Sequence, residues 1–267
     1  MKTIIKISSR IEILKELKLN TLHGIKSWKG GLIKNKRGRA DVSRIEAKTL
    51  KGDSFVIYLK RIWSPYKKDG IKNLVKHGKV ISSSKQEWQS YQKLQSAGID
   101  TPELIAYGEE CGPFYEHFSF IITGEVKKAL SLDEFLDKPQ NSCVRNRALS
   151  AVADTIFKMH KSKIISNDLY ARHIFVSHSQ KNFKISFIDM PRLENHFWLF
   201  KRKVIRDISL LNLSIPIRSL SLIRRKTLLK KYRKNFKTAS LFWSVEKKSK
   251  KLLIKKRNRY KQFLERT

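Results

Sequence analysis

Two aspartates that each follow an apolar, strand-like run are the feature that most constrains this chain. Asp168 comes shortly after a pair of isoleucines, and Asp189 ends a second β-like run 21 residues later. Carboxylates at the ends of adjacent strands would lie close together at one edge of a sheet. Phosphoryl transfer needs such a pair, because one carboxylate holds Mg²⁺ while the other orients the attacking hydroxyl. Taken alone, either aspartate could equally cap a turn after a strand; His173, five residues after the first, favours the catalytic interpretation.

The hydrophobic pattern upstream predicts strands, then one helix, then further strands. The helix covers residues 85–97, where Trp88, Tyr91 and Leu94 form one stripe and Gly98 is a probable stop. A turn rich in glycine and basic residues separates the early strands. The strand-like runs are 2–8, 42–49, 54–60, 103–109 and 117–126.

Downstream of these strands the pattern becomes helical. Ser131–Leu136 opens a helical region with two acidic residues in its first turn, where the helix dipole favours them. Arg147–His160 carries apolar residues at helical spacing and predicts a buried helix face. The two strand-like runs that lead to the aspartates follow, and from Lys201 onward the pattern is helical and basic.

Charge is the most unusual bulk property. The chain has 58 Lys and Arg against 23 Asp and Glu, a formal net charge of +35. This predicts attraction to polyanions such as nucleic acid, anionic lipid or a phosphorylated glycan. Residues 201–267 hold 23 of the cations and three acids. Such a run is often only a solvated helix, but Leu241, Phe242 and Trp243 beside it could lie at headgroup depth on an anionic membrane.

Cysteine usage and hydropathy indicate the compartment. Only Cys111 and Cys143 occur, without metal-ligand spacing, so we expect neither a disulfide framework nor structural zinc. No run approaches 18 apolar residues, and the N-terminus lacks the continuous apolar region of a secretion signal. We therefore expect a cytoplasmic protein, peripheral at the inner membrane face.

Eight segments between about residue 34 and about residue 232 occur in a characteristic order. They are RGRADVSRIE, FVIYLKR, QEWQSYQKLQSAGIDTPELIAYGE, FSFIITGEV, SLDEFL, NDLYARHIFV, FIDMPR and RDISLLNLSIPIRSLS. Each segment is weakly specific alone, but their order and spacing together are strong. In this order and spacing the chain resembles the lipopolysaccharide core kinase family, the Kdo/heptose kinases.

The resemblance implies an α+β, bilobal protein-kinase-like fold. Its N-lobe would be an antiparallel sheet with one helix over residues 1–124, and its mainly helical C-lobe would place the catalytic core at 125–217. Residues 218–267 would form a basic helical extension of the C-lobe. The implied cofactors are ATP and Mg²⁺.

In the N-lobe, the resemblance implies a nucleotide site. Lys60 would contact the ATP phosphates, and Glu87 could pair with Lys60 to hold it in place. The segment Ile121–Val126, with Ile122 and Gly124, would hydrogen-bond adenine through its backbone. No GxGxxG motif is present, so phosphate contacts from the first hairpin would depend on Arg37, Gly38 and Arg39.

In the C-lobe, the resemblance implies that Asp168 orients the substrate hydroxyl and accepts its proton. Asp189 would ligate Mg²⁺, with His173 as a co-ligand through a neutral imidazole. Asp207 resembles the helix aspartate that braces the catalytic loop. The chain departs from the kinase pattern at Ser166, where a His or Tyr would supply an aromatic packing residue.

The resemblance implies an ATP-dependent kinase that phosphorylates a Kdo or heptose hydroxyl of the lipopolysaccharide inner core. The expected partners are the core glycolipid and an anionic membrane surface, with no specific nucleic acid. A protein or small-molecule kinase of the same fold is a second interpretation, although no APE-type segment follows Asp189. A membrane-associated pseudokinase and a basic nucleic-acid-binding protein are the remaining alternatives.

Overall fold

The computed structural model describes residues 2–35, 38–48, 54–63, 78–139, 141–179, 182–191, 193–195, 200–215, 232 and 241–264. The chain divides into two compact units. Met1–Lys93 and Pro102–Val126 form what we call the N-terminal unit, and Leu94–Thr101 and Lys127–Thr267 form the C-terminal unit.

A six-stranded antiparallel sheet organises the N-terminal unit, in the order β1-β5-β6-β4-β3-β2. The expectation of one helix was wrong, because two six-residue helices precede the predicted one. Each is shorter than two turns and so shows no helical period in the sequence. The elements are β1 (Lys2–Ile7), α1 (Ile11–Glu16), α2 (Leu22–Ser27), β2 (Leu32–Asn35), β3 (Ala40–Lys48), β4 (Ser54–Ile62), α3 (Ser83–Ser96), β5 (Leu104–Cys111) and β6 (Glu116–Gly124).

Apolar side chains from the sheet and from α1 and α2 form the core of this unit. Buried and more exposed residues alternate along β3 and β4, as expected for strands with one face on a core. Gly24 in α2 lies against the carbonyl oxygen of Lys18, where any side chain would collide with the backbone. The fully buried residues of this core include Leu14, Ile25, Ile57, Leu59, Phe120 and Ile122.

A buried ion pair connects α2 to the sheet. Arg61 on β4 donates from Nε to Asp41 Oδ1 on β3 at 2.7 Å. Its Nη1 donates to the carbonyl oxygens of Ile25 and Trp28 at 2.9 and 2.7 Å, which satisfies groups that the end of a helix leaves without partners. One arginine therefore fixes the end of α2 against two strands.

The C-terminal unit combines helices with short antiparallel strands. β10, β9 and β7 form one sheet, and β11 pairs with β8. As predicted, α5 buries the face that carries Leu149, Val152, Ile156 and His160. The elements are β7 (Ala129–Ser131), α4 (Leu132–Asp137), α5 (Ser142–Lys161), β8 (Ile164–Ile165), a 3₁₀ turn (Ala171–His173), β9 (Ile174–Ser179), β10 (Asn182–Phe187), β11 (Glu194–Asn195), α6 (Phe200–Ser214) and α7 (Leu241–Leu264).

Both aspartates follow strands, as predicted, but the expectation that these strands are adjacent was wrong. β8 pairs with β11, whereas β10 pairs with β9, a strand that lies between β8 and β10 in the chain. β8 ends three residues before Asp168, and β10 ends two residues before Asp189. The last helix, α7, packs along α6, where Ser209 donates a hydrogen bond to the carbonyl oxygen of Val245 at 3.2 Å. Within the described part of the chain, no helix combines the length and the apolar character needed to cross a bilayer.

Candidate active site

Lys60 and Glu87 form the predicted ion pair in the N-terminal unit. Lys60 Nζ on β4 donates to Glu87 Oε2 on α3 at 2.7 Å, and the hydroxyl of Tyr91 donates to Glu87 Oε1 at 3.3 Å. The Glu87 side chain is 5% exposed and that of Lys60 is 24% exposed. The glutamate is therefore held inside the protein, while part of the lysine side chain keeps access to solvent. The pairing is confirmed; the contact with nucleotide stays a prediction.

A capping network that the sequence did not reveal fixes α3, the helix that carries Glu87. Glu116 Oε2 on β6 accepts from both the backbone N–H and the hydroxyl of Ser83, each at 2.9 Å. Ser119 donates to the other oxygen of Glu116, and its own Oγ lies 2.8 Å from Ser84 Oγ. Burial raises the pKa of Glu116, an effect that the hydrogen bonds from Ser119 and Ser83 oppose. A carboxylate at a helix N-terminus also complements the helix dipole.

The structure corrects part of the predicted adenine contact. Ile122 is fully buried on β6, between β4 and β5, so its side chain belongs to the core. The backbone N–H of Gly124 donates to Glu103 O at 2.9 Å, and that of Glu125 donates to Val56 O at 3.0 Å. Those two N–H groups are committed to the sheet and are not free to bond adenine. The contact of adenine with the other backbone groups of Ile121–Val126 stays a prediction.

The first hairpin is exposed, as a phosphate-binding turn would be. Gly38 has φ 72°, a conformation that glycine adopts without strain, and its N–H donates to Asn35 Oδ1 at 2.9 Å. The carbonyl of Arg39 accepts from Trp63 N at 2.8 Å. Arg37 lies outside the described residues. The role of this turn stays a prediction.

Asp207 braces the loop that precedes Asp168, which confirms its predicted structural role. Its two carboxylate oxygens accept from the backbone N–H groups of Ser166 and Asn167, each at 2.8 Å, and Asp207 is completely buried. Asn167 has φ 61°, in the left-handed region that asparagine tolerates better than most residues. Asn167 Nδ2 also donates to Glu194 Oε2 at 3.1 Å. These contacts hold the backbone immediately before the candidate catalytic carboxylate.

His173 connects the two candidate aspartates. Its Nδ1 lies 3.2 Å from Asp168 O, and its Nε2 lies 3.7 Å from Asp189 Oδ2. Arg172 Nε donates to Nε2 at 3.1 Å, so Nε2 acts as the acceptor and Nδ1 carries the proton that is donated to the Asp168 carbonyl. Burial lowers the pKa of His173, although the charge of Asp189 opposes this, which favours the neutral ring.

The backbone around Asp189 fixes its side chain beside His173. Ile188 N donates to His173 O at 2.9 Å, and Asp189 itself has φ 48°, an uncommon conformation for a residue with a side chain. Strain of this kind persists where the surrounding structure enforces it, often at functional sites. The Asp189 side chain is 40% exposed, so its carboxylate remains accessible.

This donor set fits Mg²⁺ held together with a nucleotide. Among the described residues, no cluster of three or more His, Cys, Asp or Glu side chains could enclose a metal ion. Mg²⁺ does not need such a cage, because one or two protein ligands, water and substrate phosphates commonly complete its octahedron. Asp189 offers a carboxylate oxygen. His173 Nε2 has a single lone pair, which accepts the hydrogen bond from Arg172 Nε, so it would become a ligand only once Arg172 moves away. The bond from Nδ1 to a carbonyl would then orient the ring, as is common for ligating histidines.

Comparisons with known proteins identify the family of this chain. A family model described as the lipopolysaccharide kinase (Kdo/WaaP) family matches residues 26–235. Similar curated proteins are the lipopolysaccharide core heptose(I) kinases WaaP of Pseudomonas aeruginosa, 29% identical over 54% of this chain and 56% of that protein, and of Escherichia coli K12, 29% identical over 48% of this chain and 51% of that protein. The chain thus spans about half the length of these relatives.

A solved structure, WaaP in complex with acyl carrier protein, superposes with a TM-score of 0.66 and 21% identity. The match covers 94% of this chain and 99% of that chain. At this identity the likeness shows the fold. It confirms the predicted kinase-like mixture of an antiparallel sheet and helices.

Proposed function

We infer the function of this chain from its family, because it belongs to the lipopolysaccharide kinase (Kdo/WaaP) family. We propose that it transfers the γ-phosphate of ATP to a sugar hydroxyl of the lipopolysaccharide inner core. The curated relatives are named as heptose(I) kinases, which supports heptose over Kdo as the acceptor. The observation that carries the proposal is the braced loop, in which Asp207 holds the two backbone N–H groups directly before Asp168.

Each candidate residue has one task in this reaction. Asp168 accepts a hydrogen bond from the acceptor hydroxyl and takes its proton as the oxygen attacks the γ-phosphorus, while the bond to the β–γ bridging oxygen breaks and ADP leaves. Lys60, held by Glu87, places a positive charge on the nucleotide phosphates. Asp189 and His173 would hold Mg²⁺, which when bound neutralises the charge that develops on the transferred phosphoryl group. Catalysis of this kind depends mostly on positioning and electrostatics.

Substitution of the two aspartates tests the reaction. We expect Asp168→Ala and Asp189→Asn each to abolish transfer of labelled γ-phosphate to core glycolipid, whereas Asp154→Ala, which alters an exposed aspartate on α5, should retain it. Mass spectrometry of core oligosaccharide from cells that carry each variant would identify the phosphorylated sugar. If the wild-type chain adds no phosphate to the core, the kinase proposal fails and the pseudokinase alternative replaces it.

We also propose that α7 docks the enzyme on the cytoplasmic face of an anionic membrane. Trp243, Lys247, Lys250 and Ile254 follow one another at helical spacing along one face, and Trp243 and Ile254 are 74% and 59% exposed. Lysines near an anionic surface contribute about 1 kcal/mol each, and exposed apolar side chains between them can enter the headgroup region. The opposite face is occupied, since Val245 and Ser249 are buried and contact α6.

Vesicle binding tests this docking. The double variant Lys247→Gln with Lys250→Gln should weaken sedimentation with vesicles that contain anionic lipid, and Trp243→Ser should weaken it further. Lys138→Gln with Lys161→Gln is a matched control, because both lysines are exposed and belong to other elements. Equal losses in both double variants would show that the whole positive charge, rather than α7, drives binding.

The solved relative supports one further proposed partner, acyl carrier protein. We propose that this chain binds acyl carrier protein, because the match to that complex covers 94% of the chain. Co-expression with tagged acyl carrier protein followed by gel filtration should recover both proteins in one peak. Elution of the two proteins in separate peaks would refute the partnership.

A further inference from the structure

A buried hydrogen-bond chain connects Tyr232 to the loop that precedes Asp168. The hydroxyl of Tyr232 lies 2.6 Å from His160 Nδ1, and His160 Nε2 lies 3.3 Å from Asp207 Oδ2. All three residues are at most 1% exposed. Asp207 in turn accepts from the backbone N–H groups of Ser166 and Asn167. The chain therefore extends from Tyr232 to the backbone next to Asp168.

The chemistry of these groups assigns the direction of each bond. The Asp207 carboxylate can only accept, so His160 Nε2 carries the proton and donates to it. A neutral imidazole then leaves Nδ1 as an acceptor, and the hydroxyl of Tyr232 donates to Nδ1. Burial raises the pKa of Tyr232, and the charge of Asp207 raises it further, so the phenol keeps this proton. One Asp207 oxygen thus accepts from His160 and Ser166, and the other accepts from Asn167.

Removal of any donor would disturb Asp207 first. A buried carboxylate is expensive to maintain unless hydrogen bonds compensate for its lost hydration. His160 supplies one of the three donors shown at Asp207, and Tyr232 fixes the ring of His160 in the orientation that makes this possible. The rings also pack edge to face, with His160 and Tyr232 centroids 5.7 Å apart. Packing alone would need only the ring of Tyr232, whereas the hydroxyl serves the hydrogen-bond chain.

The side chain of Ser166 does not provide an alternative support. Its Oγ is oriented toward Met190 Sδ at 3.2 Å and accepts from Asp168 N at 3.3 Å. On the Asp207 side, the loop is held only through the backbone N–H groups of Ser166 and Asn167 in the described structure. The position of those two groups therefore depends on where Asp207 is held.

We propose that Tyr232 and His160 are positioning residues that hold the catalytic loop through Asp207. The effect that we expect on kcat rests on the proposed kinase function. The structural part of the inference is independent of any activity. The two parts can be measured separately on the same full-length variants.

The first measurement is amide hydrogen exchange in Tyr232→Phe, which retains the ring and removes only the hydroxyl. We expect exchange at the amides of Ser166 and Asn167 to become about ten-fold faster, the effect of weakening one buried hydrogen bond. Tyr107→Phe is the matched control, since Tyr107 is also buried but lies in the N-terminal unit. Unchanged exchange at the loop in Tyr232→Phe, with normal exchange in the control, would overturn the proposal.

The second measurement is a double-mutant cycle on turnover. Tyr232→Phe and His160→Gln should each lower kcat about ten-fold with little change in KM for ATP, because neither residue contacts nucleotide in this account. The double variant should be no worse than either single variant, since both interrupt the same chain. Additive losses, or faster exchange with kcat unchanged, would refute the positioning role. A wild-type chain without phosphotransfer, combined with the expected exchange result, would refute the kinase function and leave the hydrogen-bond chain established.

Discussion

Replacement of Lys60 by methionine should cost both stability and activity, for reasons that a second substitution separates. Glu87 is 5% exposed and its Oε2 is 2.7 Å from Lys60 Nζ. Removal of the ammonium leaves a buried carboxylate without its charged partner, a change that typically destabilises by about 3–5 kcal/mol. Because the Lys60 side chain is 24% exposed, water can partly solvate Glu87 in its place. We therefore expect the free energy of unfolding to fall by about 2–3 kcal/mol.

Thermal unfolding measures this cost. For a chain of this size, about 2–4 °C is lost per kcal/mol, so Lys60→Met should unfold about 4–12 °C below the wild type. The double variant Lys60→Met with Glu87→Gln removes both charges and should recover most of the loss, since a neutral amide is less expensive to bury than a carboxylate. Phosphotransfer should be absent in both variants, because the nucleotide phosphates lose their cation in each.

Two results would refute this reasoning in different ways. If Lys60→Met unfolds at the wild-type temperature, the ion pair does not compensate for the burial of Glu87. If the stable double variant transfers phosphate at the wild-type rate, Lys60 does not act on the nucleotide and the proposed role of the pair fails.

Two further predictions concern stability and thiol chemistry in the N-terminal unit. Arg61→Met should destabilise by about 3–5 kcal/mol in urea unfolding, because it removes the charged partner of a buried carboxylate. Arg44→Met, which breaks more exposed pairs with Glu46 and Glu125, should cost much less. Equal costs would contradict the burial argument. Burial raises the pKa of Cys111 from 9.0 to about 12, with Glu109 adding to the effect. Because only the thiolate reacts, iodoacetamide at pH 8 should label the exposed Cys143 and spare Cys111 in the folded protein, and rapid labelling of both would refute this.

Local sequence patterns were sufficient to predict several parts of the site. The stripe of Trp88, Tyr91 and Leu94 on α3 is buried as predicted, because the helical spacing of apolar residues can be recognised within a short stretch of sequence. The same helix and the strand β4 place Glu87 and Lys60 within hydrogen-bond distance. The family resemblance predicted this pairing. The length of the hydrogen bond and the burial of Glu87 could be learned only from the structure.

Other parts of the structure could not be predicted from the sequence, because each depends on a contact between residues that are far apart in the chain. In the sequence, Arg61 is an ordinary charged residue near the end of a strand. It becomes a buried hydrogen-bond donor only because α2 packs against β4 in the fold. Glu116 caps a helix 33 residues earlier, and no capping motif links such positions in the sequence. The bonding of the Gly124 and Glu125 N–H groups could not be predicted for the same reason, since their acceptors, Glu103 and Val56, lie in other parts of the chain.

The sequence by itself determined that Asp168 and Asp189 follow strands, and that Asp207 follows on a later helix. Apolar periodicity is a local property, so it specifies these elements before any tertiary contact forms. Only the tertiary structure decided how the carboxylates are supported, with His173 beside Asp168 and Asp189, and Tyr232 bonded to His160 across 72 residues. Hydrogen bonds over such separations form only once the fold has removed their groups from water and brought them together, and no spacing along the chain encodes them.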